Sequence, residues 1–310
     1  MAEYYSKLMK ALKEGKFVVT GELEPVKTTS LQKIVETAKM LKPYVIAVNV
    51  TDNPTSYAYM NSLVPCYIVQ REAGVEAIMQ VTCRDRNRLA ITADLLGAYA
   101  LGIRNVLALT GDHISFGDNP QAKPVFDLDS TTLTLLLRKM VDEGVDLAGN
   151  KIEDPPKFCI GVAASPGMEP LEVEILRLER KAKLKPDFIQ TQSVYDIEVI
   201  KTFMREVERL HIPVIVGLTP IRSVGMLDYL VKNVPGIKIP EEIQQRLRKA
   251  REISKEKLYE ENIEIFSEII REIRRTTKAA GIHMMAVYFE WIIPKICLLY
   301  TSDAADDGES

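Results

Sequence analysis

The stretch from Glu76 to Asp112, EAIMQVTCRDRNRLAITADLLGAYALGIRNVLALTGD, carries the pattern that decides the fold. Two short apolar runs, EAIMQVTC and NVLALTGD, stand on either side of a longer stretch that reads as a helix. The same alternation extends in both directions. FVVTGELE from Phe17 and YVIAVNVT from Tyr44 precede it; FCIGVAAS from Phe158, DFIQTQ from Asp187, PVIVGLTP from Pro213 and IHMMAVY from Ile282 follow. Strands joined by crossover helices form a parallel sheet. Eight β-α units with no Pro/Gly-rich linker between halves predict a closed (β/α)8 barrel rather than an open doubly wound sheet. Leu31, Ile34, Thr37, Ala38 and Leu41 recur at helical spacing after Ser30, which is expected to cap that helix. Two irregularities stand out: a loop from His113 to Asp127, and an extra charged helical stretch from Pro240 to Lys255 before the last long helix.

The chain has 310 residues, enough for one such barrel, which takes about 250. With 46% hydrophobic and 27% charged residues it can bury a large core. A net charge of −3 and the lack of any basic tract argue against nucleic acid or an anionic membrane as partner. The N-terminus, MAEYYSKLMKALKEGK, has charges every few residues and lacks the apolar core of a signal peptide. No apolar run is long enough to span a bilayer. Cys66, Cys83, Cys159 and Cys297 include no close pair of the metal-binding kind, so a reduced, cytoplasmic compartment is expected, with the first three as core residues. The barrel is expected to occupy residues 1–296. Residues 297–310 are expected to be a non-native tail, because CLLYTSDAAD from Cys297 resembles a translated transposon sequencing adapter.

In a barrel the working groups lie where the strands finish. Here the runs finish at Glu22 and Glu24; at Asn49, Thr51 and Asp52; at Thr82, Arg84 and Asp85; at Gly111 and Asp112; at Ser165; at Gln190 and Gln192; and at Thr219. Such a ring of hydrogen-bonding groups suits a polar, ring-shaped substrate. Glu22 and Glu24 share one side of their strand. A carboxyl enclosed at the mouth would hold its proton more tightly and serve as a general acid, while a surface ion pair is the competing reading. Gly111 permits a sharp turn that brings Asp112 close to a ligand, although Gly-Asp also occurs in ordinary strand-ending turns. His211 and His283 have no second ligand at metal-binding spacing. No G-x-G-x-x-G turn follows any strand, so phosphates would need other partners. Arg177, Arg180 and Lys181 lie on one helix face, where spacing alone favours a solvated surface paired with Glu174 and Glu179. The run from Arg84 to Arg88 is similarly open.

Several segments, taken together, resemble the methylenetetrahydrofolate reductase family. They are GELEPVK, VNVTDNPTS, QVTCRDRN, LALTGDH followed by QAKPVFDLDS, AASPGMEPLEVEILRLERK, FIQTQSVYD, GLTPIRS and GIHMMAV, in the family's order from Phe17 to about Ile296. The resemblance implies an FAD-dependent oxidoreductase of one-carbon metabolism and methionine biosynthesis. It would reduce methylenetetrahydrofolate to methyltetrahydrofolate by hydride transfer from reduced flavin. It further implies Glu22, not Glu24, as the acid that opens the folate ring. Asp112 would contact the pterin and tune the flavin as a buried anion, and Gln192 would contact the folate ring. For the flavin it implies Thr51, Gly111, Asp112, Glu174, Arg180 and Lys181, with Arg177 beside them on the same helix face. NADH or NADPH is the expected electron donor. The pattern is also similar to an anaerobe and acetogen branch in which a partner subunit delivers electrons, and a homo-oligomer is expected. Ser165, Gln80, Met226 and Phe289 depart from residues common in the family. A folate-binding subunit of a larger complex and a pterin-binding methyltransferase barrel are the alternative readings.

Overall fold

The computed structural model describes residues 4–306, with side chains described as far as residue 299. Of the expected tail, residues 307–310 lie outside the described residues. Helix α1 (Lys7–Lys13) precedes β1 (Val18–Leu23), and α2 (Gln32–Leu41) leads to β2 (Ala47–Val50). Next come α3 (Leu63–Ile68), β3 (Glu76–Thr82), α4 (Arg88–Ala100), β4 (Asn105–Leu109), α5 (Ser130–Arg138) and β5 (Cys159–Ala164). The second half runs α6 (Leu171–Ala182), β6 (Phe188–Ser193), α7 (Ile197–Val207), β7 (Val214–Leu218), α8 (Val224–Asn233), α9 (Glu241–Ile253), α10 (Lys255–Thr276), β8 (Gly281–Met284) and α11 (Ile292–Asp306). The eight strands pair in chain order, all parallel, and β1 pairs with β8 to close the barrel. Each expected strand is therefore present, and α9 accounts for the extra helical stretch.

Alternation along the strands sorts the side chains into two environments. Val19, Val48, Ile189, Val216 and Ile282 face outward into a core shared with the helices. Each contributes roughly 1.5–3 kcal/mol by leaving water. Val18, Ala47, Ile78, Leu107, Cys159, Phe188 and Ile215 fill the lower barrel, and Leu8, Ala11 and Leu12 of α1 pack with them. Gly161 is needed here: a Cβ at that position would lie 2.2 Å from the Phe188 ring. The four cysteines are buried, and none of them forms a disulfide among the described residues.

One local expectation fails. Ser30 is not the cap of α2; the cap position belongs to Leu31, which makes no side-chain cap bond. Ser30 Oγ accepts from the Gln32 amide at 3.4 Å, one residue too early, and its own N–H bonds to the Thr28 hydroxyl in a turn. Such local side-chain bonds compete with capping geometry. Among the described residues, no helix is long and apolar enough to cross a membrane.

Candidate active site at the barrel mouth

Above the apolar lower barrel the inward-facing residues become polar. Thr20, Asn49, Gln190 and His283 form a buried layer, with Glu22 and Gln80 over it. Asn49 Nδ2 donates to Gln190 Oε1 at 3.0 Å and also lies 3.4 Å from His283 Nδ1. Gln80 Nε2 donates to Glu22 Oε2 at 3.3 Å and to Asn49 Oδ1 at 3.5 Å. These bonds close the floor of a recess of about 940 Å³, open to solvent, whose lining includes Glu22, Thr51, Gly111, Asp112 and Gln192. Five of the residues expected at the site thus meet in one opening of ligand size.

Glu22 and Glu24 part company at the strand end. Glu22 is 8% exposed and belongs to the mouth. Glu24, beyond the last residue of β1, lines a separate, mostly apolar recess with Glu290 and Tyr288. Burial pushes Glu24 up from its ordinary 4.5 to about 7, and the nearby charges of Glu22 and Glu290 act the same way. In the unfolded chain Glu24 ionises near 4.5, so between there and 7 the folded form holds the extra proton and stability falls as pH rises. Glu24→Gln is therefore expected to match the parent at about pH 4. At about pH 8 it should be the more stable of the two, by up to about 2 kcal/mol after solvent screening. Urea midpoints that stay parallel across that range would rule this out.

The loops after β2, β3 and β4 are lashed together around the mouth. Gly111, at φ 92°, makes the turn that a side chain would obstruct: a Cβ there would lie 3.1 Å from Thr82 Cβ. Asp112 follows, with its carboxylate accepting from the Thr55 amide at 2.9 Å. Asp112 is exposed, so the expectation of a buried anion is corrected. The reason is its position two residues past Thr110, on the open rim rather than on the strand. Thr51 is buried, and its hydroxyl has no partner among the described residues. Gln192 is exposed at the outer end of β6.

The arginine-rich run resolves into fastenings. Arg84 is 1% exposed and donates to both Asp85 oxygens and to the carbonyls of Asn53 and Asp112. Arg86 pairs with Asp52 and Asp94, Asn87 caps α4, and Arg88 pairs with Asp127.

A second recess of about 910 Å³ adjoins the mouth, sharing Leu109, Thr110 and Ala163 with it. Its lining brings together Glu174, Arg177, Arg180 and Lys181 of α6. Lys181 Nζ donates to the Ala163 carbonyl at 2.7 Å, and burial holds its ammonium below the ordinary lysine range. Arg180 is exposed and has no ion-pair partner among the described residues. Arg177 reaches Glu174 only at 3.8 Å, while Glu174 Oε1 accepts from the Ser165 amide at 2.8 Å. Glu179 pairs with Arg209 instead of with these cations. The helix face is therefore not the self-neutralised surface that spacing suggests. Met226 is half-buried against the core, and Phe289 is 2% exposed, packed against Tyr259 and Trp291. Neither lines the mouth.

Sequence reasoning missed His283. It is fully buried, with Nδ1 2.9 Å from the Thr20 hydroxyl and Nε2 3.4 Å from Glu22 Oε2. Its inward phase on β8 was the available signal. Among the described residues, no group of three or more His, Cys, Asp or Glu side chains is placed to hold a metal ion.

Comparison with known proteins gives these shapes a context. The profile of the family described as methylenetetrahydrofolate reductase matches residues 7–299. Methylenetetrahydrofolate reductase 1 of Schizosaccharomyces pombe is 27% identical over 214 residues, which is 66% of this chain and 32% of that protein. The 5,10-methylenetetrahydrofolate reductase of Pectobacterium carotovorum is 21% identical over 240 residues, 73% of this chain and 72% of that one. The chain thus spans about a third of the length of the yeast relative. Among solved structures, an uncharacterized Clostridium thermocellum protein described as binding two copies of 5-methyl-5,6,7,8-tetrahydrofolic acid superposes with TM-score 0.59 at 14% identity. That match covers 95% of this chain and 99% of the other, and it is a likeness of fold.

Proposed function

The chain belongs to the methylenetetrahydrofolate reductase family, a family of oxidoreductases, and from that premise we propose that it binds FAD and reduces methylenetetrahydrofolate to methyltetrahydrofolate at the barrel mouth. The observation that carries this reading is the placement of Glu22. Its carboxyl sits in the mouth with both protein hydrogen bonds on Oε2, in the same recess as Asp112 and Gln192.

Three features of the chain fit a flavin. The buried Thr51 hydroxyl lacks a protein partner, Gly111 leaves the mouth free of a side chain, and the adjoining recess offers Arg180, Arg177 and Lys181. In this reading Thr51, Gly111 and Asp112 meet the ring system. The cations of α6 meet the phosphates, as point charges and forked donors do where no glycine-rich turn exists. Glu174 orders that end by holding the Ser165 amide. A bound flavin would supply the hydride chemistry.

The remaining work falls to this chain's own groups. Asp112 and Gln192 hold the polar edge of the folate ring system from the rim. Glu22 delivers a proton to the folate nitrogen that leaves when the five-membered ring opens, which exposes an electrophilic carbon. NADH or NADPH is the proposed source of electrons.

The test begins with flavin. The purified chain is expected to take up FAD, and Lys181→Met to weaken that uptake by about tenfold through loss of a charge-assisted contact. Methylenetetrahydrofolate is then expected to reoxidise the reduced holoprotein anaerobically. A chain that stays colourless with added FAD, or reduced flavin inert to the folate, defeats the proposal. Reduction by a viologen dye with no response to NADH or NADPH would assign electron delivery to a partner subunit.

A further inference from the structure

His283 is fully buried beneath the mouth, and nothing in the chemistry above calls on it. It pairs in register with Thr20 on β1 and with Gly217 on β7, so barrel closure places its ring at the foot of Glu22. Its hydrogen bonds select one tautomer. Asn49 Nδ2 is a donor only, so His283 Nδ1, 3.4 Å away, accepts from it. The Thr20 hydroxyl lies 2.9 Å from the same nitrogen, closer than the Ile282 carbonyl at 3.4 Å, and with its single proton turned to the nearer acceptor it donates to Nδ1. With Nδ1 accepting from both, the ring proton sits on Nε2, facing Glu22 Oε2 at 3.4 Å. Gln80 Nε2 approaches that oxygen too, at 3.3 Å. Both donors engage one carboxyl oxygen, and Oε1 has no protein partner among the described residues.

We propose that His283 is the positioning residue of Glu22: its Nε2–H fixes which carboxyl oxygen the protein holds and so which one presents the transferable proton to the ligand. Thr20 and Asn49 set the tautomer that makes this arrangement possible. The proposal rests on the reading of Glu22 as the acid. It also excludes a proton path through the barrel floor. Beyond Nδ1 the bonds lead to Thr20, whose other neighbour is the Ile282 carbonyl at 3.4 Å, and to the Asn49 amide, which among the described residues otherwise bonds only the amides of Gln190 and Gln80; none of these buried groups titrates to carry a proton onward. A proton lost from Glu22 therefore returns from the mouth.

The tautomer can be read without turnover. Nitrogen NMR of isotope-labelled histidine in the purified chain is expected to show one ring with Nε2 protonated and Nδ1 bare, identified by its loss in His283→Gln. Thr20→Val, close in shape, should shift that Nδ1 resonance. In rapid kinetics, Thr20→Val is expected to slow reoxidation of the reduced flavin by methylenetetrahydrofolate about tenfold, and His283→Ala about 100-fold, the scale of a small misplacement of a reacting group. His283→Gln keeps an N–H near Nε2 and should restore most of the rate, with FAD affinity unchanged in all three. A proton on Nδ1, a glutamine variant as slow as the alanine variant, or rate losses that track FAD affinity would each overturn the proposal. If His283→Ala fails to fold, Thr20→Val carries the kinetic test. Should the parent chain itself fail to reoxidise with the folate, the functional reading falls, while the NMR result still decides how Glu22 is held.

Discussion

Glu22→Gln is expected to slow reoxidation of the reduced flavin by methylenetetrahydrofolate by about 1,000-fold, within the range of a lost general acid, while FAD affinity and the melting temperature stay as they were. The geometry makes this substitution unusually clean. Gln80 and His283 both approach Oε2 of Glu22, so a glutamine carbonyl oxygen can accept from both in the same place. Its NH2 group then occupies the position of Oε1, facing the mouth. The amide has the shape of the acid but no proton to release at neutral pH. A factor of 1,000 corresponds to about 4 kcal/mol of transition-state stabilisation, more than any single contact on the rim is expected to supply. Stopped-flow absorbance of the flavin band measures the rate directly, and equilibrium titration measures FAD affinity. An undiminished rate would remove Glu22 from the acid role. A variant that cannot bind FAD or melts early would make the carboxylate a structural group.

The fold was legible because a buried parallel strand writes its own signature. Each needs an apolar, often β-branched run of a few residues, and the crossover needs a longer amphipathic stretch, so YVIAVNVT or PVIVGLTP can be recognised in isolation. The polar strand ends were legible for a related reason: once the barrel is assumed, Glu22, Thr51 and Gln192 can only lie at one end of it. Relations across the barrel were not legible. His283 and Thr20 are separated by 263 positions and meet only because β1 and β8 close the sheet. A lone histidine in IHMMAVY carries no hint of that neighbour.

Loop residues were harder for a different reason. Asp112 was expected to be buried and is exposed, because its environment depends on how far the rim folds over it, which local pattern does not encode. Ser30 has the chemistry of a cap but sits one residue too early, since Thr28 draws it into a turn. The α6 cations looked self-neutralised in sequence, yet Arg209, a residue of another segment, takes Glu179 away from them. In each case the deciding partner is distant in the chain or set by a competing local bond.

Arg84 illustrates the cost of such a distant partnership, and its replacement should have the largest effect on stability. Arg84→Met keeps the buried stem and removes the guanidinium, which is 1% exposed and holds Asp85 through both oxygens at 2.9 and 2.8 Å. The same group donates to the Asn53 carbonyl at 3.1 Å and to the Asp112 carbonyl at 3.3 Å, so it joins the loops after β2, β3 and β4. Burial pushes the Asp85 carboxyl up, but bonding to the Arg84 guanidinium outweighs it and leaves the group below the usual carboxylate range. Without the arginine, burial is opposed only by the Asn53 amide at 3.3 Å and by the charge of Arg86. The loss is expected to be about 3 kcal/mol, the scale of removing a buried guanidinium together with its charge-assisted hydrogen bonds, and to appear as a lower urea midpoint at unchanged slope. Because Asp85 is depressed in the folded state, its contribution is present above the unfolded carboxylate range and disappears as the pH falls through the folded value; the gap between parent and variant should therefore narrow in acid. Arg84→Lys should recover little, since one compact ammonium cannot reach both carboxylate oxygens and two carbonyls in fixed directions. With three mouth loops released, FAD affinity should fall at least tenfold in both variants. A midpoint within about 0.5 kcal/mol of the parent would show that the loops hold their places without this arginine.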